Sequence, residues 1–169
     1  GVFPADADAL AELKPEVEVV RQEVRAQLER LRSLGIEPTY VDEHMLVGEI
    51  PAVAEAIAGV AEEAGLIYDR KLRKSGAISE IPGWNGPGPH PGTEFADHLS
   101  GTAPGTYLIV GHPGFKADEM RQLAPVSGPP RDVLQERNRE RRMFADIEIV
   151  DYCENAGVAL LRYRDLSSG

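Results

Sequence analysis

The order of apolar and polar positions divides the chain into helical and extended segments. From 15 to 34, apolar residues recur every three or four positions with charges between them, which predicts an amphipathic helix ending at Gly35. A second helix is predicted over 52–64, with Pro51 in its first turn and Gly65 after its end. Further helices are predicted over 93–100, 117–123 and 131–155. Segments rich in β-branched and other apolar residues predict strands over 36–47, 66–68, 106–110 and 158–163.

This alternation of strands and helices favours right-handed crossovers and a parallel sheet, so we expect an α/β fold. A loop rich in glycine and proline is predicted over 76–92, because eight of the eleven residues from 82 to 92 are Gly or Pro. In parallel sheets and barrels, chemistry takes place where the strands end. Polar residues that follow the predicted strands are therefore the candidates for a functional site.

Composition narrows the class of ligand. The 169 residues contain 18 basic and 28 acidic side chains, a net charge of −10 at pH 7. This charge argues against binding to nucleic acid or to an anionic membrane surface. A single cysteine, the lack of a long apolar run and the lack of a signal sequence favour a cytoplasmic location. The length fits one domain.

Asp42 and His44 follow the first predicted strand. Residues two apart on a strand point to the same side, so this carboxylate and imidazole are predicted to converge. Such a pair suits a divalent metal ion or acid/base chemistry. Two solvated loop residues would give the same spacing, and the motif alone does not separate these interpretations.

His112 and Trp84 are candidates in the second half of the chain. His112 follows the apolar strand predicted over 106–110 after a single glycine, and it precedes Pro113 and Gly114, which constrain the backbone into a turn. It is interpreted either as a positioned acid/base group or as a histidine in a surface turn. Trp84 lies in the Gly/Pro-rich loop, where it would stack on a sugar ring or anchor the loop itself.

Three segments, in the same order, resemble the YdjC-like carbohydrate deacetylase family (the ChbG/HpnK group). The first is GIEPTYVDEH over 35–44, where the family reads roughly G-I-x-P-T-H-x-D-S-H. The second is the His-Pro-Gly turn over 112–114, and the third is the acidic helix and tail over 141–166. The resemblance implies that residues 1–169 are a single domain, the C-terminal portion of a larger (β/α) barrel that is incomplete or distorted without its N-terminal strands.

The resemblance also implies an activity and roles for particular residues. It implies a metal-dependent hydrolase in which activated water attacks the amide of an N-acetylated sugar or oligosaccharide and removes the acetyl group. His44 would be a ligand of a divalent ion, Mg²⁺ or Zn²⁺, and Asp42 its catalytic acidic neighbour. His112 would act as general acid or oxyanion partner at the acetyl group. Arg70 matches a basic position near the substrate, and with Trp84 it completes the candidate substrate-binding residues.

The chain also departs from the family pattern. Tyr40 stands where the family has histidine, and Glu43, Met45 and Leu46 replace its Ser-His-His run. The family's first Asp-Asp pair and a further ligand histidine have no counterpart in the sequence. The alternative is therefore a non-catalytic relative that binds a sugar or a partner. We expect a small carbohydrate ligand, with a homodimer as one assembly that the sequence leaves open.

Overall fold

The computed structural model describes residues 4–123 and 132–166. The chain forms two compact units, one made of residues 1–77 and 161–169 and the other of residues 78–160. Among the described residues, each unit contains one pair of short parallel strands. Within the described ranges, no helix has both the length and the apolar composition needed to cross a membrane.

The first unit contains four helices and two strands among its described residues. In chain order these are α1 (Ala7–Glu12), α2 (Val17–Ser33), β1 (Tyr40–Val41), α3 (Pro51–Ala64), β2 (Ile67–Tyr68) and α4 (Asp69–Ser75). Short 3-10 segments cover His44–Glu49 and Tyr163–Leu166.

The core of the first unit forms where α2 and β2 both pack on α3. Val53, Ile57 and Ala61 recur along one face of α3 and are buried together with Tyr68 of β2. β1 pairs with β2 in parallel, with Val41 opposite Tyr68. The two strands therefore end side by side, and the polar residues that follow them are brought close together.

The second unit contains β3 (Ser79–Glu80), α5 (Pro91–Ser100), β4 (Tyr107–Leu108), α6 (Val133–Phe144) and α7 (Ile147–Ala156), with a 3-10 segment over Glu119–Gln122. Its core contains Ile81, Phe95 and Met143. β3 and β4 pair in parallel, with Glu80 opposite Leu108. Their ends lead into the Gly/Pro-rich loop and the His-Pro-Gly turn.

The structure confirms the α/β class and the parallel pairing. The described strands form two separate two-stranded sheets, so the barrel and its single domain stay predictions. The helices predicted over 15–34, 52–64 and 93–100 are present as α2, α3 and α5. The helix predicted over 131–155 is divided into α6 and α7, since Asp146 caps a new helix through a hydrogen bond from the Glu148 N–H. Arg131 lies outside the described residues.

None of the predicted strands has its full extent: those over 66–68 and 106–110 are shortened to β2 and β4, and the other two differ more. Only Tyr40–Val41 of the segment 36–47 is a strand, because the chain turns into a 3-10 segment at His44. The segment 158–163 is not a strand: Leu160 is 89% exposed, and within the described residues no other strand pairs with it. β3, with its polar sequence, lies inside the region predicted to be a loop.

Candidate functional site

The predicted site residues are distributed over both units. Asp42, His44 and Arg70 belong to the first unit, and Trp84 and His112 to the second. Within the first unit, the parallel register places the residues after β1 beside the residues after β2. Each unit therefore presents its own group of candidate residues at the ends of its strands.

Asp42 and His44 are both exposed after the end of β1. The Asp42 carboxylate accepts a hydrogen bond from the N–H of Glu43 at 2.8 Å, and His44 begins the 3-10 segment. β1 ends at Val41, so the alternation of a strand does not extend to either residue. The prediction that a strand would point both side chains to the same side is therefore wrong.

Glu43, between these two residues, has a side chain that is only 4% exposed. Its carboxylate accepts two hydrogen bonds from Arg70, at 2.6 Å from Nε and 3.0 Å from Nη2. It also accepts the N–H of Gly48 at 2.8 Å and the hydroxyl of Tyr68. A two-point pair of guanidinium and carboxylate is among the stronger hydrogen-bonded arrangements in proteins. Glu43 thus connects the β1 loop to the end of β2.

The charges of this network follow from its contacts. Burial alone would raise the pKa of the Glu43 carboxyl, but hydrogen bonds from Arg70, Tyr68 and Gly48 outweigh it and the pKa lies below its ordinary value. Burial, and then the hydrogen bond to Glu43, raise the pKa of the Tyr68 hydroxyl. The bond to Glu43 raises the pKa of the Arg70 guanidinium. The network therefore consists of a carboxylate, a neutral phenol and a cation.

Arg70 has a structural use that the sequence did not predict. Besides Glu43, it donates from Nη2 to the exposed Glu49 at 2.9 Å, and its own side chain is 13% exposed. Its charge is thus shared between two carboxylates of the β1 loop, and its role in substrate binding stays a prediction. In the sequence, Glu43 counts only as a departure from serine. The sequence feature that indicates this ion pair is an acidic residue after the first predicted strand and a basic residue after the second.

The loop held by Glu43 has an unusual backbone. Met45 and Leu46 have φ angles of 58° and 55°, in the left-handed region that costs a non-glycine residue about 1 kcal/mol or more. Gly48 closes this loop, and a Cβ atom built there would overlap the Glu43 carboxylate. The hydrogen bonds of Glu43 offset the backbone strain, and the lack of a side chain at 48 allows the close approach.

Asp69 is a second buried acid at this edge, only 3% exposed. One of its oxygens accepts a hydrogen bond from Arg73 Nε at 3.0 Å, and the other has no hydrogen-bond partner. Burial raises the pKa of Asp69, and the negative charge of Asp42 raises it further. The pKa of Tyr163 is raised too, by burial and then by the charges of Asp69 and Asp42. The charge of Asp42 thus acts in the same direction on the pKa values of Asp69 and Tyr163.

The described residues do not fit a complete metal centre. A catalytic zinc ion needs about three protein ligands and one open position. In residues 4–123 and 132–166, no group of three or more His, Cys, Asp or Glu side chains is arranged to hold an ion. Asp42 and His44 supply suitable ligand atoms but do not form a site by themselves. Further ligands would have to join these two before an ion could be held here.

In the second unit, the His-Pro-Gly turn is attached to α6. The backbone N–H of His112 donates to Glu140 Oε2 at 2.7 Å, and the N–H of Gly114 donates to the carbonyl of Arg137 at 3.0 Å. The imidazole of His112 is exposed. These two hydrogen bonds fix the backbone on both sides of Pro113, so the turn holds an accessible histidine in a defined place.

Trp84 is half-buried and fixed by neighbouring rings. Its ring centroid lies 4.9 Å from that of Phe95 and 5.2 Å from that of His98. His98 Nε2 lies 2.9 Å from the carbonyl oxygen of Pro82, in hydrogen-bonding distance. Trp84 therefore anchors the Gly/Pro-rich loop, as one interpretation of the sequence expected.

Trp84 also forms part of a cleft of about 230 Å³. The cleft lies where β3 and β4 end, and all of its walls belong to the second unit. Its main side chains are Glu80, Ile81, Trp84, Ile109, Glu140 and Met143. Glu140 is the residue that also holds the His112 turn, a connection that could not be predicted from local spacing.

Comparison with known proteins adds a family and one relative. The family model described as YdjC-like protein matches residues 1–155. A carbohydrate deacetylase from Clostridium beijerinckii is 25% identical in an alignment of 166 residues. This alignment covers 89% of this chain and 62% of that protein. The chain therefore spans less than two thirds of the length of this relative.

Proposed function

The chain belongs to the YdjC-like family, and from this membership we propose that it acts in carbohydrate deacetylation. In the proposed reaction, water adds to the acetyl carbonyl of an N-acetylated sugar or oligosaccharide. The C–N bond then breaks, releasing acetate and leaving an amine on the sugar. The observation that carries the proposal is the family match over residues 1–155. The relative named as a carbohydrate deacetylase supports the same reaction class.

His112 is the residue to which we assign the proton transfer. An amine leaves an amide only if it receives a proton, and histidine exchanges protons readily near neutral pH. Hydrogen bonds from the backbone of the turn to Glu140 and Arg137 hold His112 in place, and its imidazole is exposed to an incoming substrate. A positioned general acid of this kind contributes roughly 10²- to 10⁴-fold to a rate.

Acetate release from N-acetylated oligosaccharides tests this assignment. We expect His112→Ala to lower kcat by about 100-fold or more, the lower end of the range for a general acid. His90→Ala is the matched control, because His90 is also an exposed histidine of the second unit. An unchanged rate in His112→Ala would remove His112 from this role. An equal loss in both variants would point to a general effect on the fold.

Dependence on a divalent ion is a separate proposal. His44 is the residue proposed as a ligand, with Asp42 as its acidic neighbour, and the described residues do not complete the set. We expect acetate release to be lost after treatment with a chelator and to return with Mg²⁺ or Zn²⁺. We expect His44→Ala to bind less metal than the parent chain by elemental analysis. Full activity in the presence of the chelator would refute the metal proposal.

Tyr40 favours a second candidate, a non-catalytic relative that binds sugar. Tyr40 occupies the position of a family histidine, and its ring packs on that of Tyr163 with centroids 4.7 Å apart. An aromatic pair in this place stabilises the end of β1 but provides no imidazole. Binding of N-acetylated oligosaccharides with no acetate released under any metal condition would favour this candidate over the enzyme.

A further inference from the structure

The cleft of the second unit lies where a parallel pair of strands ends, which is the usual place for a ligand in α/β proteins. Glu80 ends β3 opposite Leu108 of β4, and Trp84 follows in the next loop. Its volume of about 230 Å³ is below the ~300–1,000 Å³ of pockets for drug-sized ligands. The cleft therefore suits a ligand of about one ring.

The walls of the cleft combine two kinds of surface. Ile81, Ile109 and Met143 are apolar and Trp84 is aromatic, whereas Glu80 and Glu140 contribute carboxylates. A wholly apolar ligand would remove these carboxylates from water without replacing their hydrogen bonds, which is costly. An anionic ligand would bring a further negative charge to these two carboxylates, which is unfavourable even with Arg137 3.4 Å from Glu140. A pyranose ring fits both surfaces, since its C–H face packs on apolar groups and its hydroxyls donate to carboxylates.

The aromatic wall is held in place before any ligand arrives. Trp84 packs against Phe95 and His98, and the His98 ring lies within hydrogen-bonding distance of the Pro82 carbonyl. A side chain that is already ordered loses little conformational entropy when it binds. Trp84 is thus suited to contact a ligand as well as to anchor its loop.

Glu140 joins the cleft to the His112 turn. Its Oε2 accepts the His112 N–H at 2.7 Å and lies 3.4 Å from Arg137 Nη1. We propose that this cleft is a subsite for one uncharged pyranose ring of the substrate, and that Glu140 is a positioning residue linking it to His112. This inference rests on the proposed function and specifies its substrate: a neutral sugar unit rather than a sugar phosphate or a uronic acid.

Ligand binding to the cleft can be followed by the fluorescence of Trp84, because it is the only tryptophan in the chain. Titration of the full chain with N-acetylglucosamine and its disaccharide should change the Trp84 fluorescence in a saturable manner. Glucuronic acid, a pyranose of similar size with a negative charge, should give no saturable change. Because Glu140→Gln replaces a charged hydrogen-bond acceptor by a neutral one, we expect it to weaken binding about tenfold.

Two further variants keep the test decisive. Glu80→Gln alters the other carboxylate of the cleft and should also weaken binding, which keeps the test available if Glu140→Gln unfolds. Glu154→Gln on α7 is the matched control, because Glu154 is exposed and lies outside the cleft. For Glu140→Gln we also expect kcat to fall more than KM rises, since the His112 turn loses its charged acceptor. Loss of packing alone would not produce this split.

The outcomes separate the subsite from the reaction. Saturable fluorescence changes that weaken in Glu140→Gln and Glu80→Gln, but not in Glu154→Gln, support the subsite. A fluorescence signal that does not respond to neutral sugars, or responds equally to glucuronic acid, overturns it. If acetate is released while Trp84 fluorescence stays constant, the proposed function stands and the subsite fails. If fluorescence responds without acetate release, the subsite stands and the proposed deacetylation fails.

Discussion

Replacement of Glu43 by glutamine is expected to loosen the end of β1 and β2 without affecting the second unit. Each Glu43 oxygen accepts two hydrogen bonds, Oε1 from Tyr68 and Arg70 Nε, and Oε2 from Gly48 and Arg70 Nη2. In Glu43→Gln, one of these oxygens becomes an NH₂ group that faces donors. The Arg70 guanidinium then loses its buried counter-charge and keeps only the exposed Glu49.

The magnitude follows from the hydrogen bonds that are lost. Two bonds that involve charged groups contribute about 1.5–3 kcal/mol each and are not fully additive. Breaking a buried ion pair by changing one partner costs about 3–5 kcal/mol. Because Arg70 retains Glu49 and the variant retains one acceptor oxygen, we expect a loss of about 3 kcal/mol. This corresponds to roughly a hundredfold change in an opening equilibrium.

Hydrogen exchange followed by mass spectrometry measures this effect locally. Peptides from 44–50 and 67–75 should exchange about 100-fold faster in Glu43→Gln, while peptides from 78–110 serve as an internal reference. Glu37→Gln is the control, because Glu37 is exposed and its ion pair with Arg32 is 3.8 Å long. Such a surface pair contributes about 0–1 kcal/mol. If Glu43→Gln exchanged no faster than Glu37→Gln, the assignment of the network as a stabilising element would be refuted.

Three further predictions concern the pH dependence of the Glu43 network, the close approach at Gly48 and the cap of α6. Since the pKa of Glu43 is lower in the folded protein than its ordinary 4.5, its stabilising contribution is present above about pH 4.5 and is lost as the pH falls further. The difference in the free energy of unfolding between the parent chain and Glu43→Gln, measured by urea unfolding, should therefore be constant from about pH 5.5 to about pH 7 and should shrink below about pH 4.5. A difference that stays constant down to about pH 3 would contradict this prediction. Gly48→Ala should reproduce the local exchange of Glu43→Gln, because the new Cβ would displace a buried carboxylate; unchanged exchange would show that the loop relaxes freely. Asp132→Ala should lower the free energy of unfolding by about 1 kcal/mol, since Asp132 Oδ1 accepts the Gln135 N–H at 2.9 Å as the cap of α6. An unchanged midpoint in thermal denaturation would show that this cap does not stabilise the protein.

Features that depend on neighbouring residues could be predicted from the sequence. α2 and α3 were predicted closely because their apolar spacing is local and Pro51 and Gly65 mark the bounds of α3. The His-Pro-Gly turn was predicted as a turn for the same reason, since Pro113 and Gly114 constrain the backbone directly. The Asp42 and His44 positions were identified by a motif that is also contiguous in the sequence.

Features that depend on distant residues were decided only by the tertiary structure. The segment 158–163 has the composition of a strand, but a strand needs a partner for its backbone hydrogen bonds, and none is present within the described residues. Conversely, Ser79–Glu80 is polar and still forms β3, because its backbone pairs with β4. Hydrogen bonding between strands is a property of the pair, and the composition of one segment does not determine it.

The site residues, too, have features that depend on the local sequence and features that depend on distant residues. The sequence by itself determined that acids, a histidine and an arginine follow the strands of the first unit. The parallel register of β1 and β2 decided that Glu43 and Arg70, 27 residues apart, meet as a buried pair. Likewise, packing against α6 decided that Glu140 holds the His112 turn, 28 residues away. The sequence determines the type of each side chain and its spacing from its neighbours. The partner of a side chain depends on which distant segment lies beside it once the core has packed.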